Sequence, residues 1–118
     1  MSERSIEIAK IALQGAMDKK AFRIVLMDLR GQSDVCDYQF ICSAENEKQS
    51  VAIADAIEIT CKASGIKALA IEGKKSGHWI LLDFGSIMIH VFYNYLRDYY
   101  SLEQIYPAAK FIDLNTML

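Results

Sequence analysis

Two histidines, three cysteines and scattered carboxylates are the groups in this chain whose chemistry could do work. His90 follows Asp83 in the stretch GHWILLDFGSIMIHVF, Gly77 to Phe92. An imidazole beside a carboxylate can move a proton, but acid–base catalysis also needs a nucleophile or a third orienting group, and none is evident nearby. His78 does not complete a metal site, because strand alternation sends it and His90 to opposite faces. Cys36, Cys42 and Cys61 are odd in number and widely spaced, with no C-x-x-C, which predicts reduced thiols rather than a disulfide frame or a zinc site. Cys42 falls in a predicted strand and Cys61 in a predicted helix, where inert buried thiols are expected. Arg97 and Glu103 can form an ion pair, worth little if exposed, or can dock the last helix. Lys74 and Lys75 form a basic spot beside the hairpin. None of these groups forms a reaction centre, so recognition is the remaining chemistry.

The elements that must position these residues follow from composition and periodicity. The chain has 118 residues, 53% hydrophobic and 24% charged, which suits one α/β domain, residues 1–118, with a real core. Its net charge of −2 argues against nonspecific phosphate-backbone binding, so no sequence-specific contact with nucleic acid is expected. No apolar run reaches bilayer length, and MSERSIEIAK lacks a secretory h-region, so a cytoplasmic protein without membrane contact is expected. Ile6, Ala9, Leu13, Ala16 and Met17 recur at helical spacing, with Ser2 as the predicted N-cap. Residues 23–29 form an apolar run predicted to be a central strand covered on both sides. Residues 30–37 are a loop, and 38–43 a second strand. Asn46 and Gln49 predict a capping box opening a helix over 47–64, with Val51, Ile53, Ala54, Ile57 and Cys61 buried and Gly65 as its left-handed terminator. Residues 68–72 form a third strand. Residues 94–100 form a helical turn, a short segment follows around Leu102 and Ile105, Pro107 ends regular structure, and the tail is expected to be loose. The sheet is predicted to be mixed and mostly five-stranded, with a helical crossover between the second and third strands.

Gly77 to Phe92 carries too many apolar residues for one buried face. With the turn centred on Phe84-Gly85, Trp79 faces His90 and Leu82 faces Ile87. Ile80, Leu82, Ile87, Ile89 and Val91 then form an aliphatic face for the helices. The other face holds Trp79, Leu81, Asp83, Ser86, Met88 and His90. That mixture is too polar for a dry core and too apolar for plain solvent, and Trp and Met beside a few polar groups suit a protein-docking patch. The alternative is that the terminal helix folds over this face and makes a second small core.

The motifs W-I-L-L-D-F-G-S-I-M-I-H-V-F and R-D-Y-Y-S-L-E (Arg97 to Glu103) resemble the ribosomal silencing factor family, also called the Iojap or RsfS family. Asp28-Leu29-Arg30-Gly31 with Asp37-Tyr38, the run Ala52 to Ile57, and Ile71-Glu72-Gly73 are similar to it too, so the resemblance spans roughly residues 6–114. It implies a nucleotidyltransferase-like architecture. It also implies binding to the large ribosomal subunit through one protein, of the L14 family, at the intersubunit face, and translational repression by steric block of subunit joining. Homodimers are plausible for the family. The family's W-x-x-x-D-[YFL]-G falls on Trp79, Asp83, Phe84 and Gly85, its H-V-F on His90, Val91 and Phe92, and its R-x-x-Y-x-L-E on Arg97, Tyr100, Leu102 and Glu103. Departures fall at Ser86, Tyr93 and Tyr106-Pro107. The partner surface is thus expected at Trp79, Leu81, Asp83, Phe84, Met88, His90, Arg97 and Tyr100, with Trp79 as anchor.

Nucleotidyltransferase-like architecture raises one enzymatic alternative. That chemistry needs carboxylates holding Mg²⁺, typically a Gly-Ser pair followed about ten residues on by Asp-x-Asp. Gly31, Ser33, Asp34 and Asp37 only imitate it: the glycine and serine are separated and the aspartates are spaced D-x-x-D. Asp34 and Asp37 are expected instead to bond neighbouring loop amides. No enzyme, catalytic residue, metal or cofactor is expected. The other alternative is an interaction module that dimerises through the same face.

Overall fold

In the computed structural model, residues 3–118 are described, so the predicted cap at Ser2 lies outside them. The order is α1 (Glu3–Asp18), β1 (Phe22–Asp28), β2 (Tyr38–Ala44), α2 (Glu47–Ala63), β3 (Ala70–Glu72), β4 (Trp79–Asp83), β5 (Ile87–Tyr93), α3 (Asn94–Tyr100), a 3₁₀ turn (Leu102–Gln104), β6 (Lys110–Phe111) and a last 3₁₀ turn (Leu114–Met117). The strands form one six-stranded sheet ordered β3-β4-β5-β2-β1-β6. Only β2 and β5 pair in parallel, so the sheet is mixed and the class is α+β. The sixth strand went unpredicted because two residues after a proline carry no periodicity.

Asn46 caps α2 as its sequence predicts, but the return bond of the predicted box reaches the Glu45 amide rather than that of Asn46. Asn46 Oδ1 accepts from the Gln49 amide at 2.8 Å, and Gln49 Oε1 accepts from the Glu45 amide at 2.6 Å. Gln49 Nε2 also donates to the Lys19 and Lys20 carbonyls, tying the end of α1 to the start of α2. At the other end Gly65 has φ +77, while the Gly65 and Ile66 amides donate to the Lys62 and Cys61 carbonyls, the paired closure of a Schellman motif.

Several expectations are corrected. The buried stripe of α1 is Ser5, Ile8, Ala9, Ala12, Leu13 and Ala16, while Met17 is exposed. In α2, Ser50 takes the fully buried place expected of Val51. β1 is flanked by the short edge strand β6, so it is not central, although Leu26 and Met27 are buried on opposite faces. The crossover through α2 does run between strands of like direction, but β3 lands two places beyond β2's parallel partner. The tail is docked: the Ile112 amide donates to the Leu26 carbonyl at 2.8 Å, and Ile112, Leu114 and Met117 pack on the core.

The hairpin register is also corrected. Its turn centres on Gly85-Ser86, one residue later than expected, so Trp79 faces Phe92, Leu81 faces His90 and Asp83 faces Met88. One step in the turn moves the pairing by two residues, and a two-residue shift leaves every side chain on its predicted face. α1 and α2 therefore cover Ile80, Leu82, Ile87, Ile89 and Val91, all fully buried, together with Leu26, Phe40, Cys42, Ile53, Ala54 and Ile57. Gly15 permits the close approach of the two helices: a Cβ there would stand 3.1 Å from Ile57.

Candidate functional site

The second sheet face is divided. Over β1, β2 and the end of β5 the chain covers itself, because Leu102, Tyr106 and Ala109 close a smaller core with Met27, Leu29, Cys36, Ile41 and Phe92. The alternative, that the terminal helix folds over this face and makes a second small core, holds in part: the second core exists, but the residues that close it lie in the 3₁₀ turn and the loop after α3. Over β4 and the start of β5 the face stays open, with Trp79, Leu81, Asp83 and Met88 half-buried.

Arg97 closes the covered half. It is 1% exposed, and its Nη1 donates to the Arg23 carbonyl and to Ser43 Oγ at 2.9 Å, while Nη2 donates to Glu103 Oε2 at 3.1 Å. One guanidinium thereby joins β1, β2, α3 and the 3₁₀ turn. A fork of donors suits three acceptors at fixed angles, which an ammonium cannot match. Arg97 is therefore removed from the expected partner surface: it docks the last helix and forms its ion pair in the interior.

His90 is corrected in the same direction. It is 6% exposed rather than at the surface, and burial pushes its imidazole down to about 4. Trp79 Nε1 donates to His90 Nδ1 at 3.0 Å, which fixes the neutral ring with its proton on Nε2. Trp79 also stacks on Phe92 at 5.0 Å between ring centroids and tilts against Tyr100 at 4.6 Å. Tyr100, 42% exposed, carries this aromatic group to the surface. Phe92 escaped the sequence reading only because the assumed register ended the face at His90; alternation along β5 already placed it there.

Phe84 packs against the helix-side core, as its even position in β4's alternation requires, so it too leaves the expected patch. Asp83 Oδ1 accepts from the Gly85 amide at 2.8 Å and holds the turn, where Gly85 takes φ +82. Trp79, Leu81, Asp83, Met88 and Tyr100 remain together. Beside them lies a shallow cleft of about 270 Å³ lined by Glu72, Gly73, Trp79 and Leu81. Glu72 was read as the end of the third strand and, with Gly73, as part of a motif, but neither as a site residue, since nothing local says that β3 borders β4.

The other candidates separate. Lys74 is paired to Asp55 at 2.7 Å and Glu58 at 2.6 Å on α2, so of the basic spot only Lys75 is left exposed to solvent. In the 30–37 loop Ser33, not Asp34 or Asp37, accepts from the amides, those of Val35 and Cys36. All three cysteines are free and buried; burial pushes the thiols of Cys42 and Cys61 up to about 12 and about 11. Among the described residues no group of three or more His, Cys, Asp and Glu is placed to hold a metal, and no helix is long and apolar enough to cross a membrane.

The fold and this face define a small α+β domain, sealed by helices on one side of its sheet and half-open on the other. Residues 2–117 match the family described as "Ribosomal silencing factor during starvation", and the chain belongs to that family. It is 37% identical over 115 residues to the ribosomal silencing factor RsfS of Bacillus subtilis, covering 98% of this chain and 96% of the relative. It is 32% identical over 112 residues to that of Halalkalibacterium halodurans, covering 95% and 96%. Among solved structures it is similar to a Chromobacterium violaceum protein, with TM-score 0.84 and 27% identity over 93% of this chain and 90% of that one. A Bacillus halodurans structure gives TM-score 0.81 and 32% identity over 92% and 98%. The chain is thus a ribosomal silencing factor, a regulator of translation by family.

Proposed function

We propose that this silencing factor docks on the large ribosomal subunit through the open half of its second sheet face, and that the bound domain bars the small subunit by occupying space. The supporting observation is the cluster of Trp79, Leu81, Met88 and Tyr100, apolar and partly exposed, in which Trp79 and Met88 pack at the edge of the core that the chain closes over the rest of this face. Such a patch, with a large aromatic held rigid beneath a second one, suits a protein partner. The partner on this reading is a large-subunit protein of the L14 family at the intersubunit face, and the setting is the cytoplasm. No bond is made or broken, and no cofactor or metal takes part.

Trp79→Ala is a poor test of this patch, because the indole supports His90, Phe92 and Tyr100 and its loss disturbs the fold. Leu81→Ala and Tyr100→Ala are better: Leu81 is half-buried, and Tyr100, at 42% exposed, is the outermost of the rings against Trp79, with thermal melts checking that both variants fold. Purified protein is mixed with large and small subunits and run on a gradient. The expected result is native protein in the large-subunit peak with joined ribosomes depleted, and both effects reduced about tenfold in the double variant. Native protein that stays at the top of the gradient, or a double variant that silences as well as native, defeats the proposal. Homodimers built on this face would compete with large subunits, and sedimentation without subunits measures them.

A further inference from the structure

The pairing register fixes what the strands display on the open face. From β2 to β3 its rows read Gln39, Met88, Asp83, Ala70; then Ile41, His90, Leu81, Glu72; then Ser43, Phe92, Trp79. The charged side chains in these rows are Asp83 and Glu72, both negative, and His90 is neutral well above its lowered pKa of about 4. Arg97, which reaches Ser43 in the last row, is buried and paired with Glu103, and Lys75 is exposed in the loop beyond Gly73, outside the residues that line the cleft. Lys74 is turned to α2 and paired there. Glu72 is exposed and stands at one wall of the 270 Å³ cleft, with Trp79 and Leu81 supplying apolar walls and Gly73 the backbone rim. Gly73 has φ +93, and a Cβ there would stand 2.0 Å from the Trp79 carbonyl, so the rim is held free of a side chain. Asp83 is already engaged with the Gly85 amide, which leaves Glu72 as the open carboxylate of the cleft.

We infer that this cleft receives one lysine or arginine side chain of the large-subunit partner, its aliphatic stem along Trp79 and Leu81 and its cation paired with the Glu72 carboxylate. A long basic side chain matches such a site in both parts: an apolar stem for apolar walls and a charge of opposite sign at the end. The apolar surroundings raise the strength of the pair over a fully solvated one, and the requirement for a cation excludes partners that present a carboxylate there. The inference rests on the large-subunit reading above and deepens it by naming what the partner presents to this cleft.

The test is binding of purified large subunits to native protein, Glu72→Gln and Glu72→Lys at low and moderate salt. Glu72 is exposed on an edge strand, so both variants are expected to fold, and thermal melts check that. The expected result is affinity about tenfold lower for Glu72→Gln, about a hundredfold lower for Glu72→Lys, and a shallower salt dependence for Glu72→Gln than for native protein. Unchanged affinity and unchanged salt slope in Glu72→Gln, with native binding intact and Leu81→Ala weakened, overturn the basic side chain while the docking face stands. Native protein that does not bind large subunits overturns both.

Discussion

The two faces of one sheet are built on different terms. The helix side is aliphatic and sealed: Ile80, Leu82, Ile87, Ile89 and Val91 are fully buried beneath α1 and α2, and polar side chains enter at its margins, as in the Ser5–Ser86 hydrogen bond and the Gln49 tie between the helices. The other side is held by polar anchors within apolar surroundings, with Arg97 at one end and the Trp79–His90 hydrogen bond at the other. Hydrophobic contact is non-directional, so it closes a face without selecting where the cover stops. A guanidinium or an imidazole demands partners at set positions and therefore fixes an edge. The covered half ends where Arg97 pins α3, and Tyr100 at the end of α3 meets Trp79 at the boundary of the open half.

The largest expected effect lies at that pin. Arg97→Ala leaves Glu103, Ser43 and the Arg23 carbonyl without their common donor and is expected to cost about 4 kcal/mol in urea unfolding. A loss below about 1 kcal/mol would mean that apolar contact alone holds the cover. The sealed face comes next. Leu82→Ala opens a cavity under the helices and should cost about 3 kcal/mol, whereas its neighbour Leu81, on the other side of the same strand, should cost only about 1 kcal/mol as Leu81→Ala. Equal losses at the two leucines erase the contrast between the faces.

Acid separates the faces as well. The imidazole of His90 is lowered from 6.5 to about 4 by burial, so the unfolded chain takes up its proton first as pH falls. The stability tied to the neutral ring is present above about pH 6.5 and is lost progressively towards pH 4. Between pH 7 and pH 5 the expected loss is about 2 kcal/mol, absent in His90→Gln, by urea unfolding at each pH. A His90→Gln profile parallel to native would place the acid sensitivity elsewhere. The smallest stability effect is expected at Met88→Ala, under about 1 kcal/mol, with large-subunit binding weakened severalfold; normal binding would remove Met88 from the docking face.

Much was legible locally. Asn46, Gln49 and Gly65 carried α2 from cap to cap, and alternation placed Trp79, Leu81 and Met88 apart from Ile80, Leu82 and Ile89. That separation survived a misplaced turn because a strand's side chains repeat every two residues and the pairing moved by two. Phe84 was misread by being treated as a motif letter rather than by its parity in the strand. Membership in the silencing-factor family was legible from ordered motifs over nearly the whole chain, without any contact being known.

The sequence alone determined which residues could share a face, since spacing and backbone geometry depend on near neighbours only. It did not determine which part of that face meets solvent. Glu103 is a local partner already suggested for Arg97, but Ser43, the Arg23 carbonyl and Trp79 come from other strands; these bonds hold Arg97 and His90 inside even though Arg97 Nε and His90 Nε2 find no partner. Whether a polar side chain is inside depends on whether distant partners offset its lost water, and only the tertiary structure brings those partners together.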